Sequence, residues 1–169
     1  PPGIDQCVAL LAYDGPAAVA IRRLKFANHR DALEPFALGL ARLVEHEVGT
    51  RRFDRVTWVP AAPSHRRDRG YDQGRLIATC VARELGLRAS RLLVRSDAGA
   101  QTGRSLALRL GGPQLAVRRG TAVTGTVLLV DDVRTSGSSL ARAAEVLRAG
   151  GAAHVVAATL AATPDRSAA

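Results

Sequence analysis

One segment of this 169-residue sequence restricts its fold more than any other: V-L-L-V-D-D-V-R-T-S-G-S-S-L at positions 127–140. Four consecutive apolar residues are typical of a strand that is buried on both faces of a parallel sheet. Two carboxylates, Asp131 and Asp132, come next, and small hydroxylated residues around Gly137 then lead into a helical pattern. Because open parallel sheets bind ligands at the carboxyl ends of their strands, the segment predicts both a fold and a site.

Strand and helix patterns alternate along the rest of the chain. Strands are predicted near residues 8–11, 56–59, 92–94, 127–130 and 154–160. Helices are predicted from Gly15-Pro16, over 31–48, after an N-cap at Asp72, and over 138–149, with a long loop at 96–126. This order predicts a single-domain α/β fold over residues 1–169, with a largely parallel sheet flanked by helices. Since aromatic residues are only 4% of the chain, its core must consist of Ala, Val and Leu.

The loop after the two acids has the chemistry of an anion site. Its backbone N–H groups and the helix N-terminus would hold a phosphate, and Gly137 would let the backbone approach closely. Hydroxyl donors come from Thr135, Ser136, Ser138 and Ser139. The adjacent carboxylates would accept hydrogen bonds from sugar hydroxyls or hold a divalent cation, so the segment describes a ribose 5-phosphate site. The structural alternative is a strand end followed by helix-capping residues.

Other common motifs are missing from the sequence. There is no G-x-x-x-x-G-K-[ST], no G-x-G-x-x-G after a strand and no G-x-S-x-G. His46-Glu47 begins like a zinc-protease helix, but Thr50 stands where the second His is needed. The distant Cys7 and Cys80 favour free thiols over a zinc site. With no apolar run long enough to span a bilayer and no signal peptide, we expect a cytoplasmic protein without membrane insertion.

Several stretches together resemble one known family. The 127–140 segment resembles the PRPP-binding signature of type I phosphoribosyltransferases. Leu24-Lys25-Phe26, Val59-Pro60, Arg69-Gly70-Tyr71-Asp72-Gln73 and Gln101-Thr102-Gly103 with Ser105 and Arg109 are similar to motifs of its ComF (competence protein F, GntX-like) branch. The match covers residues 8–163, and R-G-Y-D-Q points most specifically to this branch. The cysteine-rich N-terminal zinc module common in that family is not expected here, because Cys7 is the only cysteine near the start.

The resemblance assigns roles to individual residues. It implies Asp131 and Asp132 on the ribose hydroxyls and a 5-phosphate loop of Arg134, Thr135, Ser136, Gly137, Ser138 and Ser139. It places the loop after Val59 near the pyrophosphate, with Ala61, Ala62, Arg66, Arg67 and Arg69. It makes residues 101–117 a mobile flap containing Gln101, Ser105 and Arg109. Arg104, Gly112 and Val117 depart from the family pattern within that flap, so the acceptor is the least constrained part of the prediction.

Lys25 is the only lysine in a chain whose other basic residues are all arginine. Its position inside a matched motif favours an ammonium group near a phosphate or carboxylate. A surface lysine on an amphipathic helix explains it equally well.

Two functions follow from these observations. The first is a phosphoribosyltransferase that uses Mg²⁺ and PRPP, with the metal held through the substrate rather than by the protein alone, and an unknown acceptor. The alternative is a non-catalytic competence or DNA-uptake protein that binds single-stranded DNA or a competence-machinery protein through a basic surface. The net charge of +9 and the pairs Arg51-Arg52, Arg66-Arg67 and Arg118-Arg119 favour the alternative, while the few aromatics speak against stacking on bases. The resemblance also names a homodimer as a candidate assembly.

Overall fold

Helices and strands alternate in the computed structural model, which describes residues 1–26, 31–49, 53–62, 71–95 and 115–164. The strands are β1 (Gln6–Ala12), β2 (Arg55–Trp58), β3 (Leu93–Arg95), β4 (Leu115–Val117), β5 (Gly125–Arg134) and β6 (Ala152–Ala162). The helices are α1 (Gly15–Phe26), α2 (Glu34–Val48) after a 3₁₀ turn at Asp31–Leu33, α3 (Gln73–Glu84) and α4 (Ser138–Ala149). The predicted helices and strands occur in the predicted order, with β4 as an additional strand.

Four of the strands form a parallel sheet in the order β1-β6-β5-β2. The long strands β5 and β6 are at its centre, with Leu128 opposite Val156. Ala89 forms a single parallel bridge to Val56 on the outer edge of β2. The remaining strands, β3 and β4, form a separate antiparallel pair. The predicted α/β fold with a largely parallel sheet is therefore confirmed.

Aliphatic side chains cover both faces of this sheet. On one face, Ile21 of α1, Leu40 of α2 and Ile77 of α3 pack against Leu128 of β5. On the other, Leu140, Ala144 and Leu147 of α4 pack against Val127, Leu129 and Val155. Such a two-sided core explains why residues 127–130 of β5 form a continuous apolar run. No helix in the described ranges is both long enough and apolar enough to cross a membrane.

Two sequence predictions need correction. The strand predicted to end at Val130 continues to Arg134, because β6 reaches Ala162 and supplies backbone partners that far. The loop predicted over 96–126 is wrong at Leu115–Val117, which form β4 opposite β3, while the flap predicted over 101–117 stays a prediction. These three residues gain cross-strand partners that no local pattern in the sequence indicates.

The amino edge of the sheet, where the parallel strands begin, is fastened by Asp5. Its Oδ2 accepts hydrogen bonds from Arg148 Nη2 at 2.6 Å and from the backbone N–H of Val155 at 2.7 Å. Arg148 also donates to the carbonyls of Gly3 at 2.8 Å and Ala153 at 3.0 Å. The Val155 hydrogen bond and the Arg148 charge lower the pKa of Asp5. The network joins the first residues to β6 and to the end of α4.

Candidate sugar-phosphate site

The two acids lie side by side at the carboxyl end of β5. Both are half-buried, and Asp131 Oδ1 accepts the backbone N–H of Asp132 at 2.9 Å. In the sheet, Asp131 is opposite Thr159 of β6, a fully buried residue whose Oγ1 has no hydrogen-bond partner. Carboxylate oxygens at a strand end, beside the next loop, can accept hydrogen bonds from sugar hydroxyls.

The loop after β5 has the geometry of a phosphate cradle. Gly137, the N-cap of α4, adopts a left-handed conformation with φ of 74° and has no side chain to cap the helix; the N–H of Ser138 donates to Ser136 Oγ at 3.4 Å. Ser136 Oγ and Ser138 Oγ are 3.0 Å apart, and together with Thr135 and Ser139 they line a small open pocket. Since the first N–H groups of a helix lack internal partners, a helix N-terminus in a pocket favours an anion.

Arg134, the last residue of β5, also lines this pocket. Its Nε atom is buried and has no hydrogen-bond partner. Burial raises the pKa of the nearby Cys7 thiol, and the Arg134 charge acts in the opposite direction. This half-buried cation in the pocket lining adds positive potential where a phosphate would bind.

The segment after β2 is held by Asp72. Its Oδ2 accepts the indole N–H of Trp58 at 3.2 Å and the backbone N–H of Ala61 at 3.4 Å. Its Oδ1 accepts the N–H of Arg75 at 3.2 Å, so Asp72 also caps α3, as the sequence predicted. Asp72 therefore fixes Ala61 and the half-buried Ala62 at the carboxyl edge of the sheet, beside β5.

Sequence reasoning missed Arg95, the last residue of β3. Its Nε donates to the carbonyl of Pro60 at 2.9 Å, and its other guanidinium N–H groups make no hydrogen bond within the described ranges. Burial lowers the pKa of Arg95, while the charges of Asp131 and Asp72 oppose that change. The guanidinium is therefore close enough to Asp131 and Asp72 to be affected by their charges, and its other N–H donors face no acceptor in the described ranges. The signal in the sequence was a strand pattern, L-L-V, that ends in a charged residue.

Gln73 belongs to the R-G-Y-D-Q motif, but sequence reasoning assigns it no role. It is the first residue of α3 and is only 3% exposed, yet neither Oε1 nor Nε2 has a hydrogen-bond partner. The following residue, Gly74, packs closely against the carbonyl of Val59. Because a buried amide without partners is unfavourable, Gln73 is a candidate for contact with a ligand.

Comparison with known proteins agrees with this geometry. The sequence profile of the phosphoribosyl transferase domain matches residues 72–169. The chain belongs to that family. DNA utilization protein YhgH of Salmonella typhimurium is 30% identical over 165 residues, which cover 92% of this chain and 71% of that protein. The protein of the same name from Escherichia coli K12 has the same identity and coverage. The ComF-type resemblance found in the sequence is therefore confirmed.

Two solved structures share the fold of this phosphoribosyl transferase domain. The allosteric regulatory enzyme of purine biosynthesis superimposes with a TM-score of 0.51 at 25% identity, covering 76% of this chain. Glutamine PRPP amidotransferase from B. subtilis gives 0.50 at 25% identity, covering 74%. This chain spans about a quarter of each enzyme, 26% in both cases.

The structure brings together only part of the predicted site. Asp131, Asp132, the loop from Arg134 to Ser139, Ala61 and Ala62 all lie at the carboxyl edge. Lys25 lies in α1, but its side chain is not among the described groups. Other predicted residues lie outside the described ranges: Arg66, Arg67, Arg69, Gln101, Ser105 and Arg109. Within those ranges, no three His, Cys, Asp or Glu side chains are grouped as a metal site.

Proposed function

We propose that the protein binds PRPP and transfers its 5-phosphoribosyl group to an acceptor, with release of pyrophosphate. The observation that carries the proposal is the junction of β5 and α4. There, Asp131 lines a pocket of hydroxyl groups at the N-terminus of α4, and Asp132 is the next residue of β5. The family and the fold of a PRPP-dependent amidotransferase support the same substrate.

Each end of PRPP would meet groups suited to its charge. The 5-phosphate would accept hydrogen bonds from the N–H and hydroxyl groups of residues 135–139, while Asp131 and Asp132 would accept those of the ribose hydroxyls. The diphosphate would lie toward Ala61 and Ala62, within reach of Arg95. A half-buried guanidinium provides a charge for the departing pyrophosphate without reorganisation during the reaction.

The reaction needs little covalent chemistry from the protein. The bond between C1 of the ribose and the diphosphate oxygen breaks, and its electron pair leaves with the pyrophosphate. A lone pair of the acceptor forms the new bond to C1, and the acceptor releases a proton if it carried one. Positive charge develops on the sugar ring, so the carboxylates at the ribose would stabilise the transition state electrostatically.

The donor groups fit Mg²⁺ that arrives with the substrate. Mg²⁺ is commonly bound by one or two carboxylates together with substrate phosphates, and Asp131 and Asp132 are the carboxylates at this site. When bound, the ion would neutralise charge on the leaving diphosphate. We also propose a cytoplasmic location. Both cysteines, Cys7 and Cys80, are free thiols, as is usual for proteins of a reducing compartment.

Calorimetric titration with PRPP, with and without Mg²⁺, tests the proposal. We expect saturable binding by the wild type that is lost in Asp131→Asn/Asp132→Asn. A matched control, Glu45→Gln/Glu47→Gln on the exposed side of α2, removes the same charge and should bind normally. Absence of binding to the folded wild type would contradict the proposal. Pyrophosphate release with a panel of nucleobases and amines would then identify the acceptor.

The description of the curated relatives favours a second function. Proteins called DNA utilization protein cover most of this chain at about 30% identity, and the chain carries a net charge of +9. We propose nucleic-acid binding as this second function, in place of catalysis or beside it. Titration of a labelled oligonucleotide over a salt series tests it, because phosphate contacts weaken steeply with salt. A homodimer also stays a prediction, and sedimentation analysis would test it.

A further inference from the structure

Five exposed arginines gather near the amino edge of the sheet, away from the proposed PRPP site. We call them the arginine ridge: Arg55, Arg88, Arg91, Arg118 and Arg119. They come from three separate parts of the chain, namely the start of β2, the connection from α3 to β3, and the turn after β4.

Backbone hydrogen bonds bring these three parts together. The N–H of Ser90 donates to the carbonyl of Val56 at 2.8 Å, beside the bridge between Val56 and Ala89. The N–H of Arg118 donates to the carbonyl of Leu92, also at 2.8 Å. The first bond joins the 88–91 segment to β2, and the second joins it to the turn that contains Arg118 and Arg119.

The ridge arginines form no ion pair in the described ranges, a property they share with Arg22, Arg23 and Arg42; what distinguishes them is that backbone contacts bring three segments carrying five of them together. Arg83 and Arg142, in contrast, form ion pairs with glutamates. Among the described residues, Arg55 donates only to the backbone carbonyl of Asp54 at 3.0 Å. The carboxylate of Asp54, the acid next to the ridge, already accepts the N–H of Thr126 at 2.7 Å. The ridge therefore has five guanidinium groups and one adjacent carboxylate, Asp54, which forms no ion pair with them in the described part of the chain.

The ridge is well separated from the proposed PRPP site. The 88–95 segment runs beside β2 from Val56, which bridges Ala89, to Pro60, which accepts from Arg95. At about 3.3 Å per residue, Arg55 and Pro60 are roughly 16 Å apart. Neutralising the ridge therefore leaves the carboxyl edge unchanged.

We propose that the arginine ridge binds the sugar-phosphate backbone of a nucleic-acid strand, without reading its bases. This inference rests on the second function proposed above and assigns its surface. Guanidinium groups are permanently charged and match the geometry of phosphate oxygens. A phosphodiester chain offers such oxygens at regular intervals, as an array of unpaired arginines requires. Phe53, the described aromatic residue next to the ridge in sequence, is half-buried in the core, so contact would be mainly through phosphates.

Fluorescence anisotropy with labelled dT30 over a salt series tests the ridge. The test variant is Arg88→Gln/Arg91→Gln/Arg118→Gln, and the control is Arg22→Gln/Arg23→Gln/Arg42→Gln on α1 and α2, with the same change in charge. Each lost phosphate contact should reduce the slope of log affinity against log salt concentration by about 0.7. With three contacts removed, the slope of the ridge variant should be shallower than that of the wild type by roughly 2. The control should lose little, and thermal unfolding checks that both variants are folded.

The possible outcomes distinguish a failure of the arginine ridge from a failure of nucleic-acid binding as a whole. A shallower slope in the ridge variant alone supports the proposal. An equal reduction of the salt slope in the ridge variant and the control would overturn the assignment of the ridge. Nucleic-acid binding through the overall positive charge would then still be supported. A wild type that does not bind dT30 at low salt would overturn the ridge and the second function together, with PRPP binding unaffected.

Discussion

The two edges of the parallel sheet differ in how far their buried polar groups are hydrogen-bonded. At the amino edge, Asp5 and Arg148 share a short ion pair and satisfy backbone groups of three further residues. At the carboxyl edge, Gln73, Arg134 and Thr159 have buried polar atoms with no partner. The exception among the described residues is Ser90 Oγ, which is buried without a partner near the amino edge.

This difference separates residues that stabilise the fold from residues available to a ligand. An unsatisfied buried polar group lowers the free energy of unfolding by about 1–3 kcal/mol. Several such groups at one edge therefore destabilise the free protein there. The same edge carries the N-terminus of α4 and the guanidinium of Arg95, of which only Nε has a hydrogen-bond acceptor among the described residues. Unsatisfied groups at functional sites are expected where a ligand completes their hydrogen bonds.

The largest expected effect is on ligand binding at Arg95. Arg95→Gln should weaken PRPP binding by about tenfold to a hundredfold, since a hydrogen bond to a charged group contributes about 1.5–3 kcal/mol. Arg119→Gln, an exposed arginine at the other end of the β3–β4 pair, is the control and should bind PRPP normally. Calorimetry measures both, and equal affinities would remove Arg95 from the site.

At the amino edge, Asp5→Asn should lower stability and leave PRPP binding intact. We expect a loss of about 1.5–3 kcal/mol in the free energy of unfolding at pH 7, from the hydrogen bonds of a charged acceptor. Because the pKa of Asp5 is lowered in the folded state, this contribution is complete above the unfolded value near 3.8. It is lost as pH falls through the folded pKa. Urea unfolding at neutral and acid pH would show whether the difference in unfolding free energy between the wild type and Asp5→Asn disappears in acid, as we expect.

Gly137→Ala should affect both stability and binding. The added Cβ would lie 3.0 Å from Pro1 Cγ, at a φ of +74° that L residues rarely adopt. Gly120→Ala is a matched control, because Gly120 has a φ of +73° and nothing within 4 Å of the added Cβ. Both should lose about 1–2 kcal/mol of stability from the left-handed backbone. If only Gly137→Ala also weakens PRPP binding, the loop contacts the ligand; equal binding by both would contradict that role.

The smallest effect is also the most unusual, because Gln73→Met should stabilise the free protein. Replacing an unpartnered buried amide by an apolar side chain of similar length should add about 1 kcal/mol to the free energy of unfolding. Thr57 offers the opposite case, since its buried Oγ1 accepts the N–H of Leu92 at 3.3 Å and Thr57→Val should destabilise. Thermal unfolding compares the two, and destabilisation by Gln73→Met would show that the amide has a structural role.

Sequence reasoning predicted most of the fold because its signals are local. The apolar run at 127–130, the Asp72 cap and the start of α4 at Ser138 each depend on neighbouring residues. Arg95 could not be assigned in that way. Its place beside Asp131 depends on β3 running alongside β2, a contact between segments more than thirty residues apart. The pairing that forms β4 was missed for the same reason.

The most direct test of this comparison is the change in backbone amide NMR shifts when PRPP and Mg²⁺ are added. We predict saturable shifts at residues 135–139 and at Ala61 and Ala62, and none at Asp5, Arg148 or Val155. Shifts confined to the amino edge, or none at all at saturating PRPP, would contradict the assignment of the carboxyl edge as the ligand site.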